Sequence, residues 1–256
     1  RQQQQQAQQQ QSSPSQDEDQ TEYEPSKIPT DETIPRLLKR LGAPPLNTYE
    51  KRIVSTVINP SAIKIGFQDL ILPPSTKLLL QTLITLPLLR PDHFQTGILS
   101  KHSINGVLLF GPPGTGKTML AKAVAKSSGA RFMSVALSDI FDKYVGEGEK
   151  NVKAVFTLAR KIQPCVVFLD EVDALFGSRR SEGVGGTRRE VINELMSEWD
   201  GVGSSNRGVV VMGATNRPFD LDDAILRRMP RRVLGMFFVF FVFLFYRVLG
   251  ANVGLV

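Results

Sequence analysis

Eight consecutive residues, Gly111-Pro112-Pro113-Gly114-Thr115-Gly116-Lys117-Thr118, satisfy the pattern G-x-x-x-x-G-K-[ST] at every defined position. Each residue type in that pattern has a physical reason. Glycines let the backbone turn its N–H groups toward phosphate oxygens. Lys117 supplies a compact cation within reach of β and γ phosphates, and the Thr118 hydroxyl is a hard ligand suited to Mg²⁺. An apolar run, Val107 to Phe110, enters the loop, and a helix expected from about Lys117 to Ser128 leaves it. The positive end of that helix therefore faces the same anion. The chemistry implied is binding of a nucleoside triphosphate with Mg²⁺.

A second apolar run, Val166 to Leu169, ends in two adjacent carboxylates, Asp170 and Glu171. Carboxylates at the end of a buried strand are costly unless they serve a cation or a reaction. Open parallel sheets place their ligands at this edge. Asp170 is expected to hold Mg²⁺ through its water shell, and Glu171 to accept the proton of an attacking water. Asn216 follows a third run in Gly213-Ala214-Thr215-Asn216. Its amide could orient that water against the γ-phosphate, and it equally suits an exposed turn.

These residues need a scaffold that brings three strand ends together. The pattern from Ile63 onward alternates strand and helix signals, which predicts a three-layer α/β fold with a parallel sheet. Leu78 to Leu89 has helical spacing and stops near Pro91. Gly129 is placed to end the helix after the loop, and Arg131 to Val135 reads as the next strand. Glu147 to Ile162 carries Val152, Val155, Phe156 and Ala159 on one helical face. A helix with a Thr187/Glu190 capping box precedes a strand from Gly208 to Met212.

Outside this core the chain changes character. Gln2 to Gln11 is glutamine except for Ala7, and Ser12 to Glu24 is polar and acidic, so residues 1–33 are expected to be disordered. The first residue is Arg1, from which a missing N-terminal stretch is expected. Residues 34–62 read as a linker, with short helical and proline-broken stretches between Ile34 and Ile58. The formal charge of +6 on 256 residues is modest, and no basic stripe interleaved with aromatics occurs, which argues against nucleic acid as a partner. A single cysteine and two histidines argue against a structural zinc site.

The segments Gly111–Thr118, Val166–Glu171 and Gly213–Arg228 resemble the Walker A, Walker B and sensor-1 to arginine-finger segments of the AAA family of ATPases. The resemblance covers residues 63–232. It implies that Gly111 to Thr118 and Asp170 bind ATP, that Thr118 and Asp170 serve Mg²⁺, and that Glu171 and Asn216 are catalytic. It further implies a homo-hexameric ring in which Arg227 and Arg228 act on the neighbouring subunit's nucleotide, as a guanidinium can against developing phosphoryl charge. Asp139 to Lys150 resembles the first pore loop of the substrate-threading members, with Lys143, Tyr144 and Val145 gripping a polypeptide substrate. Gly177 to Gly186 takes the place of a second pore loop, and Ile65 to Leu70 resembles the segment lining the adenine pocket.

Within that family, Val145–Lys150 and Leu221–Arg232 look closest to the AAA extractases of the mitochondrial outer membrane. The expected function is therefore ATP-driven unfolding or extraction of proteins there, with membrane association through the missing N-terminal segment. Katanin, spastin and the ESCRT-disassembling ATPase share most of these signatures, so microtubule severing or ESCRT disassembly is the alternative. The resemblance stops after Arg232, where the family continues into a helical lid domain. Here Val233 to Tyr246 is an uncharged, phenylalanine-rich run, and residues 233–256 read as an aberrant hydrophobic C-terminus. From that break a third expectation follows, a truncated nucleotide-binding module without turnover.

Overall fold

The computed structural model describes residues 33–90, 93, 106–136, 147–176, 186–205, 208–234 and 238–239. The glutamine-rich tail, the expected pore-loop residues Lys143, Tyr144 and Val145, and most of the second loop lie outside the described residues.

Among the described residues six strands form the main sheet: β1 (Val57–Ile58), β3 (Gly106–Phe110), β4 (Arg131–Val135), β5 (Cys165–Leu169), β6 (Val209–Thr215) and β7 (Arg231–Leu234). Their order is β1-β4-β5-β6-β3-β7, with β1 antiparallel to β4 and every other pairing parallel. A separate antiparallel pair joins β2 (Leu70–Ile71) to β8 (Phe238–Val239).

The inner parallel strands β3, β5 and β6 are apolar on both faces because helices cover both faces, whereas the edge strand β7 is largely exposed. Alternation along each strand divides the side chains between two cores. Leu108, Met133, Val135, Val167, Leu169, Val209 and Val211 face one way. They pack with α6 (Glu147–Lys161), α8 (Gly186–Ser205) and α9 (Asp223–Arg228). Val107, Leu109, Phe132, Val166, Phe168, Val210, Met212 and Ala214 face the other way, toward α5 (Lys117–Ser127) and the segment 74–89. That segment runs as α3 (Pro74–Leu80), a π-helical turn (Gln81–Thr85) and α4 (Leu86–Leu89). Pro87, which has no N–H to bond back along the helix, lies two residues after the end of the turn.

Three expectations are corrected here. The short helical stretches expected within residues 34–62 are packed on the domain rather than linking to it: α1 (Ile34–Arg40) buries Ile34, Leu37 and Leu38 in the first core. In α2 (Thr48–Ile53), Asn47 and Glu50 form a reciprocal capping box, and the buried Glu50 accepts from Lys161 Nζ on α6 at 2.8 Å. The core does not stop at Arg232, since Val233 is buried and β7 pairs with β3 through Leu234. Finally, α8 starts at Gly186, which puts Thr187 inside the first turn rather than at the cap. Among the described residues no helix is long and apolar enough to cross a membrane.

Candidate functional site

Parallel register sets the level of the strand ends. Phe110 of β3 lies opposite Thr215 of β6, and Leu169 of β5 lies opposite Gly213. The residues that follow, Gly111, Asp170 and Asn216, therefore emerge along one edge of the sheet. β6 continues three residues beyond its expected end at Met212, because Gly213 leaves room for Met229 and Val172 to pack against it.

The loop Gly111–Gly116 needs its glycines for conformation. Gly114 and Gly116 have φ of +78° and +84°, in the left-handed region that costs a side-chain-bearing residue about 1–2 kcal/mol. Pro112, Pro113 and Gly114 are exposed, while Thr115 to Thr118 are half-buried at the start of α5. The Thr115 hydroxyl donates to the Pro112 carbonyl at 2.9 Å, closing the loop on itself. Gly111 N–H donates to the Thr215 carbonyl at 3.2 Å, hanging the loop on β6.

Lys117 unites these parts. Its Nζ donates to the carbonyls of Gly111 and Pro112, each at 2.9 Å, and to Asn216 Oδ1 at 2.8 Å. All three ammonium protons thus have acceptors. Burial pushes the Lys117 pKa below its ordinary value, against the opposing pull of Asp170 and Asp173. A phosphate arriving here would replace carbonyl acceptors with anionic ones, a stronger match for the cation.

Asp170 is half-buried, and its Oδ1 accepts from Glu171 N–H at 2.9 Å. Glu171 is exposed and has φ of +50°, the one non-glycine residue with positive φ among those described. Such a backbone costs on the order of 1–3 kcal/mol and persists where surrounding structure imposes it. Here α7 (Val172–Phe176) starts at once, its Ala174 N–H bonding the Glu171 carbonyl at 2.8 Å. The effect is a carboxylate presented to solvent beside Asp170 and the phosphate loop.

The donor set also tests the fit to a metal. Among the described residues no three His, Cys, Asp or Glu side chains cluster in a way that could hold an ion. Thr118 and Asp170 offer one hydroxyl and one carboxylate, both hard oxygen donors. That is too few for a protein-only cage, and it suits Mg²⁺, which keeps several waters and shares substrate phosphates.

The two arginines divide. Arg228 is held within its own chain, its Nε and Nη2 bonding the Asp200 carboxylate at 2.8 and 2.6 Å and its Nη1 the Ala224 carbonyl at 3.0 Å. Arg227 is exposed on the last turn of α9. Its neighbour's carbonyl, Arg228 O, abuts Gly106 at the start of β3. Gly106 and Gly111 are five residues apart, roughly 16 Å of extended strand. The arginine pair therefore lies at the opposite sheet edge from its own phosphate loop. Ile65 to Leu70 packs against α5, with Phe67 and Leu70 buried in the second core.

Two partners were not anticipated. Asp173 Oδ1 accepts from the Thr215 hydroxyl at 2.6 Å, and Thr215 Oγ1 in turn accepts from Arg217 N–H at 2.9 Å. Asp200 clamps Arg228. Both contacts join residues 28 or more positions apart, so only the third acidic residue in Asp170-Glu171-Val172-Asp173 was a visible signal.

Comparison with known proteins places this geometry. Residues 107–235 match the model of the ATPase family associated with various cellular activities (AAA). Spastin from Gallus gallus is 43% identical over 203 residues, covering 78% of this chain and 32% of that protein. Spastin from Homo sapiens is 49% identical over 178 residues, covering 69% of this chain and 28% of that protein. The chain thus spans about a third of the length of the curated relatives it matches. Among solved structures, the AAA domain of FIGL-1 in complex with ADP superposes with a TM-score of 0.61 at 38% identity, covering 75% of this chain and 63% of that one. A structure described as the basis for katanin self-assembly superposes with a TM-score of 0.60 at 33% identity, over 75% of this chain and 60% of that one.

Proposed function

This chain belongs to the AAA family, and from that premise we propose that it binds and hydrolyses Mg²⁺–ATP within a ring of identical subunits, to sever microtubules. The observation that carries the nucleotide reading is the convergence of Lys117, Asp170 and Asn216 at one sheet edge, with Lys117 bonded to Asn216 at 2.8 Å. Backbone N–H groups of Gly114 to Lys117 and the start of α5 receive the phosphates, and Lys117 exchanges its carbonyl acceptors for them. Ile65 to Leu70, packed on α5, supplies the wall for the base. Mg²⁺, when bound by Thr118 and Asp170, supplies charge neutralisation on the phosphate oxygens. Glu171 accepts the proton of the attacking water, and Asn216 fixes that water's position.

The position of the arginines supports the ring. Arg227, some 16 Å of strand away from its own loop, serves a neighbour's phosphates far better than its own. The likeness to a structure of katanin self-assembly supports the same arrangement. Severing is preferred over extraction at the mitochondrial outer membrane because the relatives reported above are spastins and a katanin. In that reading Lys143, Tyr144 and Val145 grip a polypeptide drawn into the ring.

A mixing experiment tests the proposal. Lys117→Ala and Arg227→Ala chains should each hydrolyse ATP at background rate, and a mixture should recover part of the wild-type rate. Fluorescent microtubules should shorten in wild-type protein with ATP and stay intact with Glu171→Gln. No recovery on mixing would remove the trans arginine, and intact microtubules despite ATP turnover would remove severing.

A further inference from the structure

We propose that Asp173 is a positioning residue, which holds the Asn216 turn in register with the phosphate loop through the hydroxyl of Thr215. The inference rests on the nucleotide reading above and names a residue that reading does not use. Thr215 is buried at 1% exposure, whereas Asn216, next in the chain, is exposed. An exposed residue at a strand end has many accessible conformations unless its neighbours are tied down. Here they are tied on both sides by one oxygen. Thr215 Oγ1 donates to Asp173 Oδ1 at 2.6 Å and accepts from Arg217 N–H at 2.9 Å, so the hydroxyl brackets Asn216. The Thr215 carbonyl takes Gly111 N–H at 3.2 Å, which couples the same residue to the start of the phosphate loop.

Asp173 gives the hydroxyl its direction. A threonine O–H rotates to suit its acceptor, and a carboxylate is the stronger acceptor. With Asp173 accepting, the lone pairs of Oγ1 are turned to the Arg217 amide. Without it the hydroxyl can turn to other acceptors and release that amide, and Asn216 Oδ1 loses its fixed place 2.8 Å from Lys117 Nζ. Asp173 itself sits at the second position of α7, three residues after Asp170, and is half-buried. It thereby ties the carboxylate strand end to the Asn216 strand end.

The consequence for function is selective. Asn216 is placed to meet the γ-phosphate, so a loosened turn should lower affinity for a triphosphate more than for ADP. The test uses the full chain and measures Kd for ADP and for a non-hydrolysable ATP analogue in wild type, Asp173→Ala, Asp173→Asn, Thr215→Val and the double variant. Asp173→Ala and Thr215→Val should each reduce the preference for the analogue over ADP by about tenfold, the worth of one charge-assisted hydrogen bond. The double variant should be no worse than Thr215→Val alone, which already removes the hydroxyl's bonds to both Asp173 and the Arg217 amide. Asp173→Asn keeps an acceptor and discards the charge, and should stay within about threefold of wild type. Amide exchange at Arg217, read without nucleotide, should accelerate in Asp173→Ala and Thr215→Val and remain slow in Asp173→Asn.

Each opposite result is informative. If Asp173→Asn matches Asp173→Ala, the charge acts on Lys117 directly and positioning is wrong. Equal losses for ADP and the analogue, or unchanged exchange at Arg217, also overturn it. A wild-type chain that binds neither ligand would overturn the nucleotide reading instead, which the wild-type titration alone reveals.

Discussion

The two ends of the parallel sheet use the same residue types for different purposes. At the end where β3 and β6 begin, glycine serves space. A Cβ on Gly106 would collide with the Arg228 carbonyl and come within 3.0 Å of Trp199, and one on Gly208 would meet Gln163 Oε1 at 2.6 Å. At the end where those strands finish, glycine serves backbone conformation. A Cβ on Gly114 would meet nothing within 4 Å, yet its φ of +78° strains any side-chain-bearing residue. Arginine and lysine divide in the same way. Arg228 at the first end is clamped by Asp200, while Lys117 at the second is bonded only to acceptors that an incoming phosphate can replace. The packed end holds the fold, and the open end holds polar groups in arrangements that only a ligand makes worthwhile.

Substitutions at the two ends should therefore separate activity from stability. The largest expected effect is at the open end. Glu171→Gln should lower phosphate release by about 10²- to 10⁴-fold, the usual worth of a general base, with nucleotide affinity and Tm close to wild type. A large fall in Tm for that variant would blur the distinction between the ends. At the packed end, Gly106→Ala should cost about 1–3 kcal/mol of stability through overpacking, read as a lower denaturation midpoint. Nucleotide affinity of the molecules that remain folded should be unaltered.

The sequence made the open end largely readable and the packed end hardly at all, for a physical reason. The phosphate loop is local: eight adjacent residues, a strand before and a helix after, all present in one window. Strands buried on both faces, such as Cys165–Leu169, are legible because their composition leaves no other place for them. The packed end is built from contacts between distant positions, such as Arg228 with Asp200 and Gly106 with the Arg228 carbonyl, and no window contains both partners. Helices α1 and α2 were visible as short helical stretches, and what stayed hidden was that they pack on the core. At seven and six residues they are too short for an apolar period to reveal a buried face; burial of Leu37 and Leu38 anchors α1, and the Asn47–Glu50 capping box with buried Glu50 anchors α2. Asp173 lies between these cases, visible as a carboxylate and invisible as the partner of Thr215.

Smaller effects sharpen the contrast. Gly114→Ala should cost about 1–2 kcal/mol in strain, comparable in stability to Gly106→Ala, and unlike that change it should also weaken nucleotide binding. Calorimetry on both variants compares the two losses directly. Cys165, at the packed end, provides the smallest signal at neutral pH. Burial pushes its thiol up to about 12. Below the ordinary thiol value of about 8.5 the folded and unfolded chains hold that proton alike, and stability is unaffected. As pH rises from there toward about 12 the unfolded chain releases the proton and the folded one retains it, so this group's contribution falls with pH. Alkylation of Cys165 near pH 8 should proceed only at the rate of unfolding, and faster labelling would show that the packed end opens locally.

The most direct test of the central claim is a calorimetric titration of Mg²⁺–ADP into the wild-type chain and into Lys117→Ala. The account predicts one site in the wild type and a loss of affinity of about 10- to 100-fold in the variant, the worth of a hydrogen-bonded charge on phosphate. Equal affinity in the two proteins would contradict the assignment of this sheet edge as the nucleotide site.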